Sequence, residues 1–507
     1  MDIELNNNLI KKIFNKYFRY YKFDIDINEL FNILSLINYL FIDYLTYSGL
    51  AIHDPNFHNS LKSEIFQLIK IQLQNFKVIN DNDLIMAIEL IELLIFKTII
   101  PKRSYKNNLI IYIKLSKEIN KLNNQIEYLK NIYQPEQRTN EWYLFRHNVI
   151  TASNIWKAFI SEKSFNQLVL EKCKPIDINK YNYVNEQSPM HWGQKYEPVS
   201  TQYYEYMYNT NIDEFGCIPH KDFEYLAASP DGINSKINSP LYGRMLEIKN
   251  IFNREINGIP KLEYWIQMQI QMEVCDLNEC DFLETRFLEY NSEEEFLNDY
   301  YVEIDGSGNF KNNVMMTKDY KYKGLILAFI INDKPHYEYC PFACNYDELI
   351  LWQSQILSLY ENNIFFKSIY YRLDEISCVL VLRNKHWFNC ALPIIQDLWN
   401  NINIIKKDKF LLEDLEKKIK TSSSGYYKKV EKKKCLIDNK LFSSTSQEIK
   451  PPTKDLKKIN LQNIEILKIN KIQEQQVINE DKQPKKKRRK RKKEDNIYSF
   501  IETDNNK

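Results

Sequence analysis

The sequence predicts an α/β (α+β) fold with a helical N-terminal region and a polar C-terminal tail. In residues 1–133, apolar residues recur at intervals of three and four, as in "DLIMAIELIELLIFKTII", which is typical of helices that pack one face into a core. Beyond residue 138, short apolar runs such as "LEIKN" and "YKGLILAFIIN" alternate with helix-like stretches. That alternation predicts strands set among helices.

Four segments are predicted along the 507 residues. Residues 1–133 form the helical N-terminal region, whose role the sequence does not indicate, and Pro135 in "QPEQR" marks its end because proline disfavours a continuing helix. Residues 138–290 mix helix and strand patterns and hold the chemically informative residues. Residues 291–445 continue the mixed pattern, with "SCVLVLRN" as a strand and "YDELILWQSQILSLY" as a helix, and could complete the same domain. Residues 446–507 are polar and are predicted to be disordered.

Composition restricts the class of protein. Hydrophobic residues make up 44% of the chain, which suffices for real cores. No uninterrupted apolar run approaches the roughly 18 residues that cross a bilayer, and the first residues lack the basic and apolar regions of a signal peptide. We therefore expect an intracellular protein without a membrane partner. Nine scattered cysteines show no small-domain disulfide pattern, which favours a reducing compartment.

The positive charge is concentrated in one run. Residues 485–493, "KKKRRKRKK", hold nine positive charges, so a net charge of +2 for the whole chain leaves −7 for the rest. Such a run suits a nuclear import signal or non-specific phosphate contacts, and a solvated tail without function is the alternative. Because the body is mildly acidic, any nucleic-acid contact there must use a local groove.

The segments "ASPDGI" and "LEIKN" carry the central candidate site. Side chains alternate faces along a strand, so Glu247 and Lys249 share one face, while Leu246 and Ile248 point into a core. If the strand in "YLAASPDGI" pairs with this one, Asp231 lies beside Glu247.

Two carboxylates with a lysine beside them suit the handling of a phosphate. The acids can hold a hard cation through oxygen, and the lysine can position or help to deprotonate a water and neutralise charge on the phosphate. The alternative interpretation is a turn aspartate followed by a solvated Glu-x-Lys face.

Neighbouring segments add further candidates. Glu197 lies in a predicted helix rich in aromatic residues, and Gln267 and Gln271 share one face of a predicted helix after Pro260. Buried amides need hydrogen-bond partners, which predicts a pocket next to that face.

Arg146 and Ser153, seven residues apart, form another candidate pair. They face each other if the segment is helical over two turns, or Ser153 caps a helix "NIWKAF" whose amides face a ligand. A surface arginine paired with Glu141 is the alternative.

Five motifs in order carry a resemblance to a known family: "W-x-x-x-R" with "ITAS", "G-x-K-Y-E", "SPDG", "LEIK" and "Y-x-x-Q-x-Q-x-x-M". Together they resemble the lambda-exonuclease-like, YqaJ-type viral recombinase nucleases of the PD-(D/E)xK superfamily. The resemblance covers residues 138–290, under a third of the chain. It implies a restriction-endonuclease-like core, a mixed sheet flanked by helices, and Mg²⁺-dependent hydrolysis of phosphodiester bonds, with Mn²⁺ as a substitute metal.

The resemblance also assigns roles to the candidates. It implies that Asp231, Glu247 and the carbonyl of Ile248 bind the metal, and that Lys249 is the catalytic lysine. It implies that Glu197 reaches the metal site directly or through water and that Gln267 orients the attacking water. In the same way, Arg146 and Ser153 would hold a terminal 5′ phosphate.

The function that this resemblance implies is a Mg²⁺-dependent deoxyribonuclease, a 5′–3′ exonuclease on duplex DNA ends in viral recombination or repair. Its partners would be double-stranded DNA ends, a single-strand annealing protein and further copies of the chain, and its location the host nucleus or a cytoplasmic viral replication site.

Three alternatives stay open from the sequence. One is an endonuclease, and another is an inactive DNA-binding or scaffolding protein on a nuclease fold. The third is a nuclease with an iron–sulfur cluster, which needs four clustered cysteines. Cys275, Cys280, Cys340 and Cys344 are the nearest approach to such a set.

Overall fold

The computed structural model describes residues 25–421 except 74–78, 107, 109–115, 178–184, 187, 305–307 and 309. Its helices are α1 (Ile27–Tyr47), α2 (Phe57–Gln72), α3 (Asp81–Thr98), α4 (Ser116–Asn131), α5 (Asn140–Asn148), α6 (Glu162–Cys173), α7 (Pro189–Tyr208), α8 (Leu262–Val274), α9 (Glu293–Asn298), α10 (Tyr346–Leu359), α11 (Lys385–Ile405) and α12 (Lys409–Thr421). Short 3₁₀ helices span Gly49–His53 and Ile155–Phe159.

The strands are β1 (Ile150–Thr151), β2 (Ile212–Asp213), β3 (Ile218–Pro219), β4 (Leu226–Ala228), β5 (Gly232–Asn234), β6 (Met245–Asn250), β7 (Glu279–Glu289), β8 (Tyr301–Ile304), β9 (Phe310–Asn313), β10 (Lys323–Ile331), β11 (Lys334–Tyr339) and β12 (Ile364–Leu382). The predicted α/β (α+β) class, a mixed sheet flanked by helices, is confirmed. The tail of residues 446–507, with its basic run, lies outside the described residues, so its disorder stays a prediction.

Seven strands form the central sheet, in the order β11-β10-β12-β7-β6-β5-β2. Neighbours are antiparallel except β6 and β7, which run parallel. Parallel neighbours need a crossover connection, and α8 lies in the one between these two strands. Strands β10 to β12, from the segment beyond residue 290, extend the sheet that holds β6.

The two faces of β6 are covered by different helices. Leu246 and Ile248 are buried in a cluster with Tyr196 and Tyr204 of α7. On the other face, both amides of α8 that point at the strand bond to the carboxylate of Glu247. The site therefore forms where α8 crosses the sheet, and α7 fixes the strand from behind.

The N-terminal helices belong to the same core. Apolar residues of α1 and α3, such as Ile37 and Ile91, are fully buried in one cluster that continues to Trp265 of α8 and Trp387 of α11. By length and composition α1 could cross a membrane, but 50% of its apolar window is buried in the protein, as in the core helix of a globular fold. The helical region and the middle segment thus share one hydrophobic core.

Candidate active site

Asp231 and Glu247 lie side by side on paired strands. β5 begins directly after Asp231 and runs antiparallel to β6, with Gly232 opposite Leu246. The same register places Asp231 opposite Glu247, and Asp231 Oδ2 accepts a hydrogen bond from the Ile248 backbone N–H at 2.7 Å. The structure therefore brings the two predicted carboxylates together.

The strand that achieves this is not the expected one. β4, which precedes Ser229, pairs with β1 and β3 in a separate three-stranded sheet. Pro230 lacks an N–H group and cannot continue a ladder, so the chain leaves one sheet at Ser229 and enters the other at Gly232. The expectation that β4 itself pairs with β6 was wrong, and the short β5 takes its place.

Glu247 is fully buried and heavily bonded. Its Oε1 accepts from Gln267 Nε2 at 2.8 Å, and its Oε2 accepts from Gln271 Nε2 at 2.7 Å. The two amides share a face of α8 because they are four residues apart. A buried carboxylate is costly unless its oxygens are bonded, and α8 provides those bonds. The alternative of a solvated face does not describe Glu247.

Lys249 lies against the same carboxylate. Its Nζ donates to Glu247 and to the Ile248 carbonyl, the latter at 3.1 Å, and sits 5.2 Å from the centre of the Tyr264 ring. Burial alone would lower the pKa of Lys249, but the charges of Glu247 and Asp231 raise it above its ordinary value. Lys249 is therefore a cation at neutral pH, suited to stabilising negative charge on a phosphate.

Glu197 reaches the site from α7. Its Oε2 forms an ion pair with Arg138 Nη2 at 3.0 Å. Asn250, the last residue of β6, holds α7 in place: its Nδ2 donates to the Gly193 carbonyl at 2.6 Å, and its Oδ1 accepts from Ser200 Oγ at 2.7 Å. Asn250 thus joins the strand that carries Glu247 to the helix that carries Glu197.

Arg138 has a strained backbone. Its φ is +68°, in the left-handed region. That conformation costs an L-residue with a Cβ roughly 1–2 kcal/mol. The ion pair with Glu197 is exposed, with 49% of the Arg138 side chain accessible, and pairs of that kind contribute only about 0–1 kcal/mol. The pair therefore does not offset the strain.

The carboxyl groups fit a hard cation. Burial, and after it the charge of Asp231, raises the pKa of Glu247 to about 7 although Lys249 acts in the opposite direction. The same two causes raise the pKa of Glu197 to about 7. A cation bound beside these carboxyl groups would favour their charged forms, and their donor atoms are oxygens, the ligands that Mg²⁺ prefers.

The number of protein ligands also fits magnesium. Asp231, Glu247 and the Ile248 carbonyl lie together, whereas no group of three or more His, Cys, Asp or Glu side chains in the described part of the chain is arranged to hold a metal. Mg²⁺ usually takes one or two carboxylates and completes its shell with waters and substrate phosphates. Glu197 is paired with Arg138, and its contact with the metal, directly or through water, stays a prediction.

Arg146 and Ser153 are in direct contact. Arg146 Nη2 donates to Ser153 Oγ at 2.7 Å, and Nη1 donates to Ser229 Oγ at 3.3 Å. The guanidinium also lies 4.1 Å from the centre of the Trp142 ring. These contacts hold a planar cation, flanked by two hydroxyls, in an orientation that can present N–H groups to a phosphate.

Neither geometry expected for this pair is observed. α5 ends at Asn148 and β1 intervenes, so Arg146 and Ser153 do not share a helix. The 3₁₀ helix that follows has Asn154 at its N-cap, so Ser153 does not cap it. Instead, β1 pairs in parallel with β4, and the chain after β1 places Ser153 against Arg146. A strand of two residues is too short to be recognised in the sequence.

Ser229 connects the two groups of residues. Its hydroxyl accepts from Arg146 and from Trp142 Nε1, and its carbonyl accepts from Gln271 Nε2 at 3.2 Å. Gln271 in turn bonds Glu247, and Asp231 follows two residues later, within about 7 Å along the backbone. The segment from Ser229 to Asp231 therefore positions both Arg146 with its hydroxyl partners, here called the arginine pocket, and the two carboxylates.

Sequence reasoning placed Gln271 on the shared face of α8 but missed three other residues of this arrangement. Ser229 gives no signal beyond its place in a motif already noted. Arg138 precedes the first motif, and its φ cannot be read from sequence. Lys172 of α6 is buried, and its Nζ donates to the Arg146 carbonyl at 2.6 Å, which fixes the end of α5.

The cysteines considered for an iron–sulfur cluster do not meet. Cys275 and Cys280 lie in the large core, whereas Cys340 and Cys344 lie in a separate cluster with Phe296 and Leu349. Four ligands to one cluster must converge, so these four do not form such a site.

Comparisons with known proteins agree with the motif order. Residues 141–278 match the family model of the YqaJ-like viral recombinase domain, and every candidate site residue from Arg146 to Gln267 lies within that range. The predicted resemblance of this segment is therefore confirmed.

One relative extends beyond this segment. An uncharacterized protein of Acanthamoeba polyphaga mimivirus is 30% identical over 366 residues, which cover 64% of this chain and 62% of the relative. The match thus spans less than two thirds of that protein's length.

Two solved structures are of an alkaline exonuclease from Laribacter hongkongensis. The first is 17% identical, covers 56% of this chain and 96% of that chain, and has a TM-score of 0.27. The second, a complex with dAMP, has the same identity and coverage and a TM-score of 0.26.

Proposed function

We propose that this protein is a Mg²⁺-dependent deoxyribonuclease that digests duplex DNA from 5′-phosphorylated ends. The observation that carries the proposal is the Ser229–Pro230–Asp231 segment. The Ser229 hydroxyl of this segment bonds Arg146. Asp231, about 7 Å further along the backbone, lies beside Glu247 and Lys249. A terminal phosphate held by Arg146 would thus place the adjoining phosphodiester near Asp231 and Glu247.

Each residue has a defined task in this proposal. Asp231, Glu247 and the Ile248 carbonyl would hold Mg²⁺, which supplies charge to the phosphate and lowers the pKa of a bound water. Lys249, already protonated, stabilises negative charge that develops on the phosphate. Gln267 holds Glu247 through one N–H and orients the attacking water with its remaining amide groups.

The terminal-phosphate pocket favours an exonuclease over an endonuclease. A terminal phosphate carries more charge than an internal diester, and Arg146 offers a planar fork to it. The inactive-scaffold alternative is disfavoured, because Asp231, Glu247 and Lys249 are all present and in contact through one strand pair. A strand-annealing protein and further copies of this chain are the proposed partners, and Mn²⁺ the proposed substitute metal.

The test is digestion of linear duplexes labelled at either end, beside a closed circle, with Mg²⁺ or EDTA. We expect Mg²⁺-dependent loss of the 5′ label as mononucleotides and no cutting of the circle. Asp231→Asn and Glu247→Gln should each abolish the activity, whereas Asp222→Asn, an exposed turn acid between β3 and β4, should leave it unchanged. Cutting of the circle at a similar rate would replace this proposal with an endonuclease, and Mg²⁺-independent or absent hydrolysis would end it.

A further inference from the structure

Arg138 lies beside the site and has a left-handed backbone, which disfavours a residue with a Cβ. Seven described residues other than glycine have a positive φ, and four of them are Asn or Asp, which tolerate the left-handed region. Arginine has no such tolerance. Glycine would relieve the strain, so the Arg138 side chain is not favoured here by the stability of the backbone.

The position of Arg138 indicates a role for its side chain. Thr139, the next residue, caps α5 through a bond from the Trp142 N–H, and α5 carries Trp142 and Arg146 of the phosphate pocket. The guanidinium itself bonds Glu197, whose charge interacts with that of Asp231. Arg138 thus lies between the start of α5, which carries Arg146, and the carboxylate of Glu197.

The chemistry of the side chain adds a second point. A guanidinium presents five N–H donors in a plane, so one edge can bind a carboxylate while the other binds a phosphate. About half of the Arg138 side chain is exposed, 49%, which leaves it open to a ligand. Its partner Glu197 adds negative charge that interacts with that of Asp231, so a nucleic-acid strand entering the site would gain from a cation at this point.

We propose that Arg138 is a substrate-positioning residue that contacts a backbone phosphate of the strand being cut while it orients Glu197. Arg138 lies outside the segment 141–278 that matches the family model. The inference rests on the proposed nuclease function and deepens it. It predicts that the residue acts on DNA binding and not on the stability of the fold.

The test uses Arg138→Gly, which removes the cation and suits the left-handed backbone. Its melting temperature should equal or exceed that of the wild type. Binding of a 5′-phosphorylated duplex in Ca²⁺, followed by fluorescence anisotropy, should weaken roughly tenfold, and the slope of log affinity against log salt should fall by about 0.9, the value of one lost phosphate contact. Arg138→Lys should retain most of that slope.

Ala343→Gly is the matched control, because Ala343 also has a left-handed backbone, with φ of +58°, and lies outside the site. It should leave DNA affinity, salt slope and kcat/KM unchanged. With Mg²⁺, Arg138→Gly should raise KM for duplex about tenfold and lower kcat less.

An unchanged salt slope and KM in Arg138→Gly would overturn the inference, even if the wild type digests DNA normally. A wild type that binds duplex without cutting it would instead overturn the nuclease function, and the Ca²⁺ binding data alone would then decide the role of Arg138.

Discussion

The arginine pocket makes the sharpest quantitative prediction. Arg146→Ala removes a guanidinium that donates to Ser153 at 2.7 Å and to Ser229 at 3.3 Å. If a terminal phosphate accepts from this fork, at least one charge-assisted hydrogen bond is lost, at a cost of about 1.5–3 kcal/mol. That range corresponds to a roughly 10- to 150-fold lower kcat/KM on 5′-phosphorylated duplex.

The assay compares 5′-phosphorylated with 5′-hydroxyl duplexes of the same sequence under single-hit conditions. The wild type should prefer the phosphorylated duplex, and Arg146→Ala should lose that preference because its rate on the hydroxyl duplex changes little. Arg146→Lys keeps the positive charge but lacks the planar guanidinium. Its preference for the phosphorylated duplex should therefore lie between those of the wild type and Arg146→Ala. An equal loss on both substrates, or no preference in the wild type, would refute the pocket and its role in end recognition.

Four further predictions follow from the same contacts. Lys249→Ala should abolish hydrolysis but leave Mg²⁺ binding, followed by calorimetry, nearly intact; wild-type rates would contradict the role of this lysine. Burial lowers the pKa of Lys172 from 10.5 to about 7. As the pH falls from about 10.5 to 7, the unfolded chain therefore takes up the proton before the folded protein does, and the free energy of unfolding decreases. Lys172→Met should remove this decrease from a plot of the free energy of unfolding against pH. Asn250→Ala should reduce the free energy of unfolding by about 1–3 kcal/mol and raise the Mg²⁺ concentration needed for activity, because Glu197 loses its anchor. Deletion of residues 484–494 should reduce nuclear import or the salt dependence of DNA binding, and no change in either would leave the basic run as a solvated tail.

Local pattern predicted the strand and the helix that carry the candidate site residues. Alternation along "MLEIKN" predicted that Glu247 and the buried Leu246 point to opposite faces of the strand. A spacing of four residues predicted that Gln267 and Gln271 share one face of α8. These properties depend only on the period of a strand or a helix, which the sequence records directly.

Long-range pairing was the part that local pattern could not supply. β1, β4 and β5 are two or three residues long, too short for a periodic signal, yet they decide where Arg146 and Asp231 lie. The strain at Arg138 has no trace in residue type, because an arginine in the left-handed region reads like any other arginine. The shared core of α1 and α3 with α8 depends on tertiary packing, and amphipathic helices do not specify their partners.

The two faces of α8 connect the segment that matches the family model to the N-terminal region. One face bonds Glu247, and on the other the indole N–H of Trp265 donates to the Arg103 carbonyl at 2.7 Å, while Arg103 itself reaches the Pro260 carbonyl at 2.6 Å. A fragment of residues 141–278 would expose that second face to solvent. The loop before α8 would also lose the hydrogen bond from Arg103 to the Pro260 carbonyl. Substitutions in the N-terminal helices that shift α8 would therefore also move the amides that bond Glu247.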